Sequence, residues 1–303
     1  MSLITLSVLI PAKDEADNLE PLLTEISQVL NHFFASKGKS DQEYSLPTSS
    51  MHHHKNDADN TSKVPSTGGY EIIVVDDAST DETTSLLTRL SSSHPQLKTI
   101  RHDNAKGQST SVWEAAHCAC GEWLVTLDGD GQNDPADIPA MLAKASSSGI
   151  DMVAGHRLDR RDTLIKRMSS RTANRIRSFL LGDNTPDTGC GLKLMRRDAF
   201  LALPYFDHMH RFLPALMQGQ GRSCVSLPVN DRPRQYGHSH YGLNNRLWVG
   251  IIDMMGVMWL NKRSRLPLNK MPANCVKQPS QTLIFTPDDA MQSDVSLDNS
   301  LAK

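Results

Sequence analysis

Four apolar runs punctuate the first half of the chain, and each ends in a polar cluster. Leu6–Ile10 leads into Pro11-Ala-Lys-Asp-Glu15, and Tyr70–Val75 into Asp76-Asp77-Ala-Ser-Thr-Asp81. Trp123–Leu127 leads into Asp128-Gly-Asp130-Gly-Gln132, and Asp151–Ala154 into Gly155-His-Arg157. Apolar runs without alternation belong to strands covered on both faces, as in a parallel sheet. Helical periodicity fills the gaps, at roughly 17–34, 81–92, 108–119 and 135–148. The expectation is an α/β fold with a mostly parallel central sheet and helices on both faces. Ligands in such sheets bind beyond the carboxyl ends of the strands, where all four polar clusters fall.

Two stretches break the pattern. Residues 37–69 are polar and aperiodic, rich in Ser, Thr, Asn, Asp, His and Lys, and read as a disordered insertion. Its His52-His53-His54 run reads as solvated rather than metal-binding. The tail over 267–303 reads the same way, which leaves a catalytic domain over 1–245 and an apolar helix over 246–266. These two segments account for a hydrophobic fraction of only 38% in 303 residues.

Charge narrows the function. With 34 acidic and 32 basic residues the net charge is −2, which excludes a general polyanion binder and no nucleic acid is expected as partner. The 5 cysteines have no framework spacing, so a disulfide scaffold is not expected, and a reducing compartment fits. The first ten residues lack the basic start and cleavage site of a signal peptide, so they read as a buried strand. One local basic cluster stands out: Arg157, Arg160, Arg161, Lys166, Arg167, Arg171, Arg175 and Arg177. Arg167, Arg171 and Arg175 are spaced to share one helix face, which suits an anionic partner. Leu247–Leu260 is apolar but, at about 1.5 Å per residue, spans about 21 Å, short of a bilayer core of about 30 Å. Trp248 and Trp259 near its ends and Lys262, Arg263 and Arg265 beyond it suit an interfacial helix; a buried core helix is the alternative.

Asp128-Gly-Asp130-Gly-Gln132-Asn-Asp134 sets several oxygen donors after a strand, where Asp128, Asp130 and Gln132 could share a hard cation. An EF-hand begins similarly but needs Gly where Asn133 stands and Glu where Pro139 stands. An aspartyl-nucleophile phosphatase would leave Asp76-Asp77 and the basic cluster without a role. A purely structural acidic turn also stays open. A divalent cation holding a diphosphate uses all these features, with Asp76 and Asp77 accepting from the ribose or base of a nucleotide.

Taken together, Ile10-Pro-Ala-Lys-Asp-Glu-Ala-Asp-Asn18, Val74-Val-Asp-Asp-Ala-Ser-Thr-Asp81, Leu127-Asp-Gly-Asp-Gly-Gln-Asn-Asp-Pro135 and Asp187-Thr-Gly-Cys-Gly-Leu-Lys193 resemble family 2 glycosyltransferases of the GT-A fold. The resemblance is nearest to the polyprenyl-phosphate sugar transferases, the dolichol-phosphate mannosyltransferase type, and covers about residues 5–265. It implies nucleotide contacts at Pro11, Ala12, Glu15 and Asp77, with Asp76 beside them, and a Mg²⁺ or Mn²⁺ site at Asp128, Asp130 and Gln132. It implies contacts to the acceptor phosphate or donor diphosphate at Arg157, Lys166, Ser170 and Arg234, and it casts Asp130, Arg157 and Arg234 as catalytic. The chain departs from the family pattern at His240, in Gly237-His-Ser-His-Tyr241, where the family carries Lys.

The resemblance implies a nucleotide-sugar donor, a polyprenyl phosphate acceptor and peripheral attachment to the cytoplasmic face of a membrane. An acceptor that is already anionic needs no strong base, so a single inverting displacement is expected. Three alternatives stay open: transfer to a hydroxyl acceptor, with the Asp187 loop supplying the base; a sugar-nucleotide binding module without activity; and a nucleic-acid binder using the basic helix, although the acidic strand ends would repel phosphate without a metal.

Overall fold

A computed structural model of the chain describes residues 3–40, 68–146, 149–157, 177–178, 180–183, 185–234 and 243–263. Their strands form one sheet of 7, in the order β3-β2-β1-β4-β6-β5-β7. These are β1 (Leu3–Ala12), β2 (Gly68–Asp76), β3 (Leu97–Arg101), β4 (Trp123–Thr126), β5 (Met152–Arg157), β6 (Lys193–Arg196) and β7 (Cys224–Val229). All pairings are parallel except those of β6, which runs antiparallel to both β4 and β5. Residues 267–303, expected as a tail, lie outside the described residues.

The pleat sorts the apolar side chains onto two faces. On one face Leu6, Val8 and Ile10 of β1 join Ile72 and Val74 of β2. Against them pack α1 (Ala16–Ser40) through Leu19, Leu23, Ile26 and Leu30, α2 (Thr83–Ser93) through Leu86, Leu87 and Leu90, and α4 (Ile138–Ser146) through Met141 and Leu142. On the other face Leu9, Ile73 and Val75 meet α3 (Gln108–Cys118) through Val112, Ala115 and Ala116. Two short helices, α5 (Arg197–Leu201) and α6 (Leu213–Gly219), complete that layer with Phe200, Leu213 and Leu216. Burying both faces explains why the β1, β2 and β4 runs are predominantly apolar; the buried Ser7 and Glu71 are exceptions that hydrogen-bond each other.

The last described element, α7 (Leu243–Arg263), is packed along one side and exposed along another. Val257 is buried in the second cluster, with Met254 and Leu260 packed against it, and Asn261 donates to the Ala215 carbonyl at 3.0 Å. Ile252, Met255 and Trp259 point outward. No helix among the described residues is long and apolar enough to cross a membrane.

Three strands go beyond the sequence expectation. β3 and β7 are edge strands with one covered face, and β6 is four residues long, so none carries a continuous apolar run. The expected insertion shrinks at both ends: α1 continues to Ser40 and β2 begins at Gly68. The remainder, with His52-His53-His54, lies outside the described residues, as does the basic stripe of Arg167, Arg171 and Arg175.

Candidate active site

Every polar cluster singled out in the sequence sits at one edge of the sheet, at the carboxyl ends of β1, β2, β4 and β5. The first two loops are laced together. The Asp77 amide donates to the Ala12 carbonyl at 2.8 Å, and the Glu15 amide donates to Thr83 Oγ1 at 3.1 Å. Asp14 Oδ1 accepts from the Thr80 amide at 2.7 Å and from the Asp81 amide at 3.3 Å, which holds its carboxyl below the usual range despite partial burial.

Asp76 and Asp77 are both engaged by the protein. Asp76 accepts from the Ser79 amide at 2.8 Å, Thr84 Oγ1 at 2.6 Å and Arg101 Nη1 at 2.9 Å. Asp77 Oδ1 contacts His102 Nδ1 at 2.7 Å and accepts from the Lys106 amide at 2.6 Å, while Oδ2 accepts from the Gly107 amide at 2.9 Å. Burial opposes ionisation of both carboxyls, but these hydrogen bonds outweigh it and lower both pKa values. His102 continues the chain through Nε2 to Glu114 Oε2 at 2.7 Å. Gly107 has φ +89°, a conformation open to glycine, and this bend lets its amide reach Asp77 as α3 begins at Gln108.

The carboxylate loop after β4 is set by its neighbours. The Asp128 amide donates to Asn133 Oδ1 at 3.1 Å, and Asp130 Oδ1 accepts from the Gln132 amide at 3.1 Å. Gly191 approaches so closely that a Cβ there would overlap the Asp128 carboxyl and Asn133 Oδ1. Gln108 Nε2 donates to Asp128 Oδ1 at 2.8 Å. Burial first, and then the neighbouring Asp130 charge, push the Asp128 carboxyl above its ordinary pKa. Glu15 is likewise raised, chiefly by burial.

Two guanidinium groups face these acids. Asn133 bridges to Asp231, and the Arg232 amide donates to the Gln132 carbonyl at 2.9 Å, which lays the segment after β7 along the carboxylate loop. Arg234, three residues on, then spans Glu15 Oε1 at 2.9 Å and Asp130 Oδ2 at 3.2 Å. Arg157, at the end of β5, clamps Asp187 with Nε–Oδ2 at 2.7 Å and Nη2–Oδ1 at 3.1 Å. Asp187 and Gly191 lie in one loop leading into β6, which opens at Lys193, so the antiparallel strand delivers that loop to the same edge.

Of the residues singled out in the sequence, Pro11, Ala12, Glu15, Asp76, Asp77, Asp128, Asp130, Gln132, Arg157 and Arg234 therefore share one edge of the sheet. Lys166, Ser170 and the His240 segment lie outside the described residues. Sequence reasoning did not single out Gln108, His102 or Lys193 as site residues; position alone makes Gln108 informative, as the first helical residue after a left-handed glycine.

A divalent cation fits Asp128 and Asp130. Burial and the neighbouring Asp130 oppose ionisation of Asp128, which a cation would relieve, and Asp128 has a protein hydrogen bond at Oδ1. Among the described residues no three His, Cys, Asp or Glu side chains converge on one point, so the donor set would be two carboxylates completed by oxygens of the substrate or water, as hard cations accept.

Comparisons with known proteins agree with this geometry. Residues 60–203 match the family model described as glycosyl transferase family 2. A dodecaprenyl-phosphate galacturonate synthase of Rhizobium johnstonii is 31% identical over 202 residues, covering 65% of this chain and 60% of that protein. An undecaprenyl-phosphate 4-deoxy-4-formamido-L-arabinose transferase of an Enterobacter species is 33% identical, covering 57% of this chain and 53% of that protein. The chain thus spans between half and two thirds of the length of these relatives.

Among solved structures, glucosyl-3-phosphoglycerate synthase of Mycobacterium tuberculosis, in a crystal with Mn²⁺, UDP and phosphoglyceric acid, superimposes with a TM-score of 0.54 at 16% identity, covering 85% of this chain and 78% of that one. Mannosyl-3-phosphoglycerate synthase of Rubrobacter xylanophilus superimposes with a TM-score of 0.53 at 15% identity, covering 89% and 78%. Strands β1 and β7 fall outside the family-matched residues yet are hydrogen-bonded into the same sheet. The α/β sheet is thus of the GT-A type, its acidic loops are gathered on one edge, and residues 60–203 within it match the model of glycosyl transferase family 2.

Proposed function

We propose that the protein transfers a sugar from a nucleoside-diphosphate sugar, GDP-mannose or a UDP-sugar, to a polyprenyl phosphate, using Mg²⁺ or Mn²⁺. The observation that carries this reading is the gathering at one edge of the sheet of Asp128, Asp130 with Arg234 on it, and Arg157 on the nearby Asp187. Carboxylates suit a cation on a departing diphosphate, and guanidinium forks suit phosphate oxygens. The names of the two relatives, both polyprenyl-phosphate sugar transferases, support the acceptor class.

The chemistry follows from the acceptor. A phosphate oxygen is already anionic, so the protein has to align it with the anomeric carbon and offset charge on both sides. Asp128 and Asp130, with Gln132 beside them, would hold the divalent cation, which when bound neutralises charge on the leaving diphosphate. Arg234 ties Asp130 to Glu15, fixing the carboxylate loop against the β1 loop. Asp77, braced by His102 and two amides, holds the base-side loop in place. Displacement in line inverts the anomeric configuration. A hydroxyl acceptor would need a general base, and the candidate, Asp187, has both oxygens on Arg157, which favours the phosphate acceptor.

The lipid acceptor places the enzyme at a membrane surface, on the cytoplasmic side where nucleotide sugars are held. Helix α7 supports peripheral docking: Ile252, Met255 and Trp259, at i, i+3 and i+7, are 66%, 60% and 63% exposed, with Lys262 and Arg263 just beyond. The test is transfer of labelled sugar from GDP- and UDP-sugars to undecaprenyl phosphate, with Mg²⁺ or Mn²⁺ and with EDTA. A metal-dependent, lipid-extractable product is expected. Donor hydrolysis or transfer to a hydroxyl, with no lipid product, would refute the acceptor assignment.

A further inference from the structure

Behind the carboxylate loop lies a cavity of about 270 Å³, lined among others by Gln108, Asp128, Thr188, Lys193, His210 and Leu213. Ligand sites run from about 300 to 1,000 Å³, so this one suits a single sugar ring or a phosphate group and not a lipid chain.

Lys193 is the unusual member of its wall. It opens β6, between Thr126 of β4 and Ala154 of β5, in the interior of the sheet. Because β6 is antiparallel to both neighbours, its first residue reaches the edge where the strands β4 and β5 end. The side chain is 4% exposed. Its ammonium donates to the Cys190 carbonyl and forms no ion pair among the described residues. Asp128 and Asp187 act on it only at longer range, and burial lowers its pKa. An ammonium has three N–H groups, and burying one without an adjacent anion is costly unless a ligand completes it.

The rest of the wall is consistent with an anionic guest. His210 is held neutral, with burial pushing it down to about 3, and its Nδ1 lies 2.7 Å from Ser109 Oγ. Lys193 and Arg211 are two cations on the lining against one carboxylate, Asp128.

We propose that Lys193 is the recognition cation of this cavity and donates to an anionic oxygen of a substrate. This rests on the glycosyl transfer proposed above. Two sources share that chemistry: a carboxylate on the transferred sugar, as in a uronic acid, and the phosphate of the acceptor.

The experiment compares wild type with Lys193→Met, which keeps the apolar stem, and Lys193→Gln, which keeps a neutral donor. Calorimetric titration of UDP and GDP with Mn²⁺ comes first. Wild type that binds neither nucleotide refutes glycosyl transfer itself, while variants that bind like wild type are folded and intact at the nucleotide site. Rates are then measured with UDP-glucuronate and UDP-glucose over a range of undecaprenyl phosphate concentrations. A hydrogen bond to a charged group is worth about 10- to 100-fold, so the Met variant is expected to lose that much in kcat/KM. Collapse of a wild-type preference for the uronate donor assigns the sugar carboxylate. A raised KM for undecaprenyl phosphate, with donor preference unchanged, assigns the acceptor phosphate. Wild-type rates on every pair, or a uniform fall in kcat with both KM values unchanged, would overturn the proposal. Should the Met variant fail to fold, the same readings on the Gln variant decide.

Discussion

Replacing Arg157 by Met tests whether the clamp on Asp187 holds the β5 end to the loop that enters β6. Arg157 and Asp187 keep 14% and 7% of their side-chain surface exposed, so water screens the pair weakly. The two side-chain contacts, at 2.7 and 3.1 Å, form a fork, and the Arg157 amide adds a third contact to Asp187 at 3.4 Å. Removing one partner of such a pair leaves the other buried without its counter-charge, at about 3–5 kcal/mol. Asp187 has a further interaction, so the lower end, about 3 kcal/mol, is expected. At about 2–4 °C per kcal/mol for a domain of 150–250 residues, this is a fall of about 6–12 °C in Tm. Urea unfolding of wild type, Arg157→Met, Asp187→Leu and the double variant forms a cycle that isolates the pair. The double variant is expected to recover part of the loss, because no buried charge is left alone. A single-variant loss below about 1 kcal/mol, or strict additivity in the cycle, would refute the clamp.

Other outcomes follow from the same geometry. Gly191→Ala drives a Cβ into the Asp128 carboxyl, so Mn²⁺-dependent nucleotide affinity is expected to fall at least tenfold by calorimetry; unchanged affinity would mean the close approach is not needed. Asp76 and Asp77 titrate below 3.8, so the stability they contribute is full above that pH and is lost as pH falls through their folded values. Asp128 titrates above 3.8, so its ionised form opposes folding; Asp128→Asn is expected to raise Tm at pH 7, and the gain should shrink as pH falls toward 3.8 in a pH series of thermal melts. Ile252→Glu with Trp259→Glu is expected to abolish co-sedimentation with anionic liposomes while leaving Tm within a few degrees, because both side chains point away from the core.

How far the sequence discloses this molecule depends on what each signal is made of. Strands covered on both faces, such as Ile72–Val75, announce themselves through uninterrupted apolar runs. The antiparallel β6 has four residues, begins with a lysine and ends with an arginine, and only its neighbours in space make it a strand. Among site residues, Asp128 and Asp130 are legible because the chemistry of a cation needs carboxylates close in sequence. Arg234 is placed by the Asn133–Asp231 bridge, across 98 positions of chain, a contact no local pattern encodes. The resemblance to family 2 supplied it instead. Asp76 and Asp77 read as open acceptors in the sequence, whereas in the fold they are braced by Arg101, His102 and backbone amides. Lys193 was legible only as a motif residue, and its burial beside a cavity depends on strand order.

In the proposed reaction Asp128 and Asp130 would hold a nucleoside diphosphate through a divalent cation. Calorimetric titration of UDP and GDP into wild type and Asp130→Ala, each with Mn²⁺ and with EDTA, tests it most directly. Tight binding of one nucleotide by wild type with Mn²⁺ is expected, and its loss with EDTA or in Asp130→Ala. Binding of equal strength under all these conditions, or none under any, would contradict it.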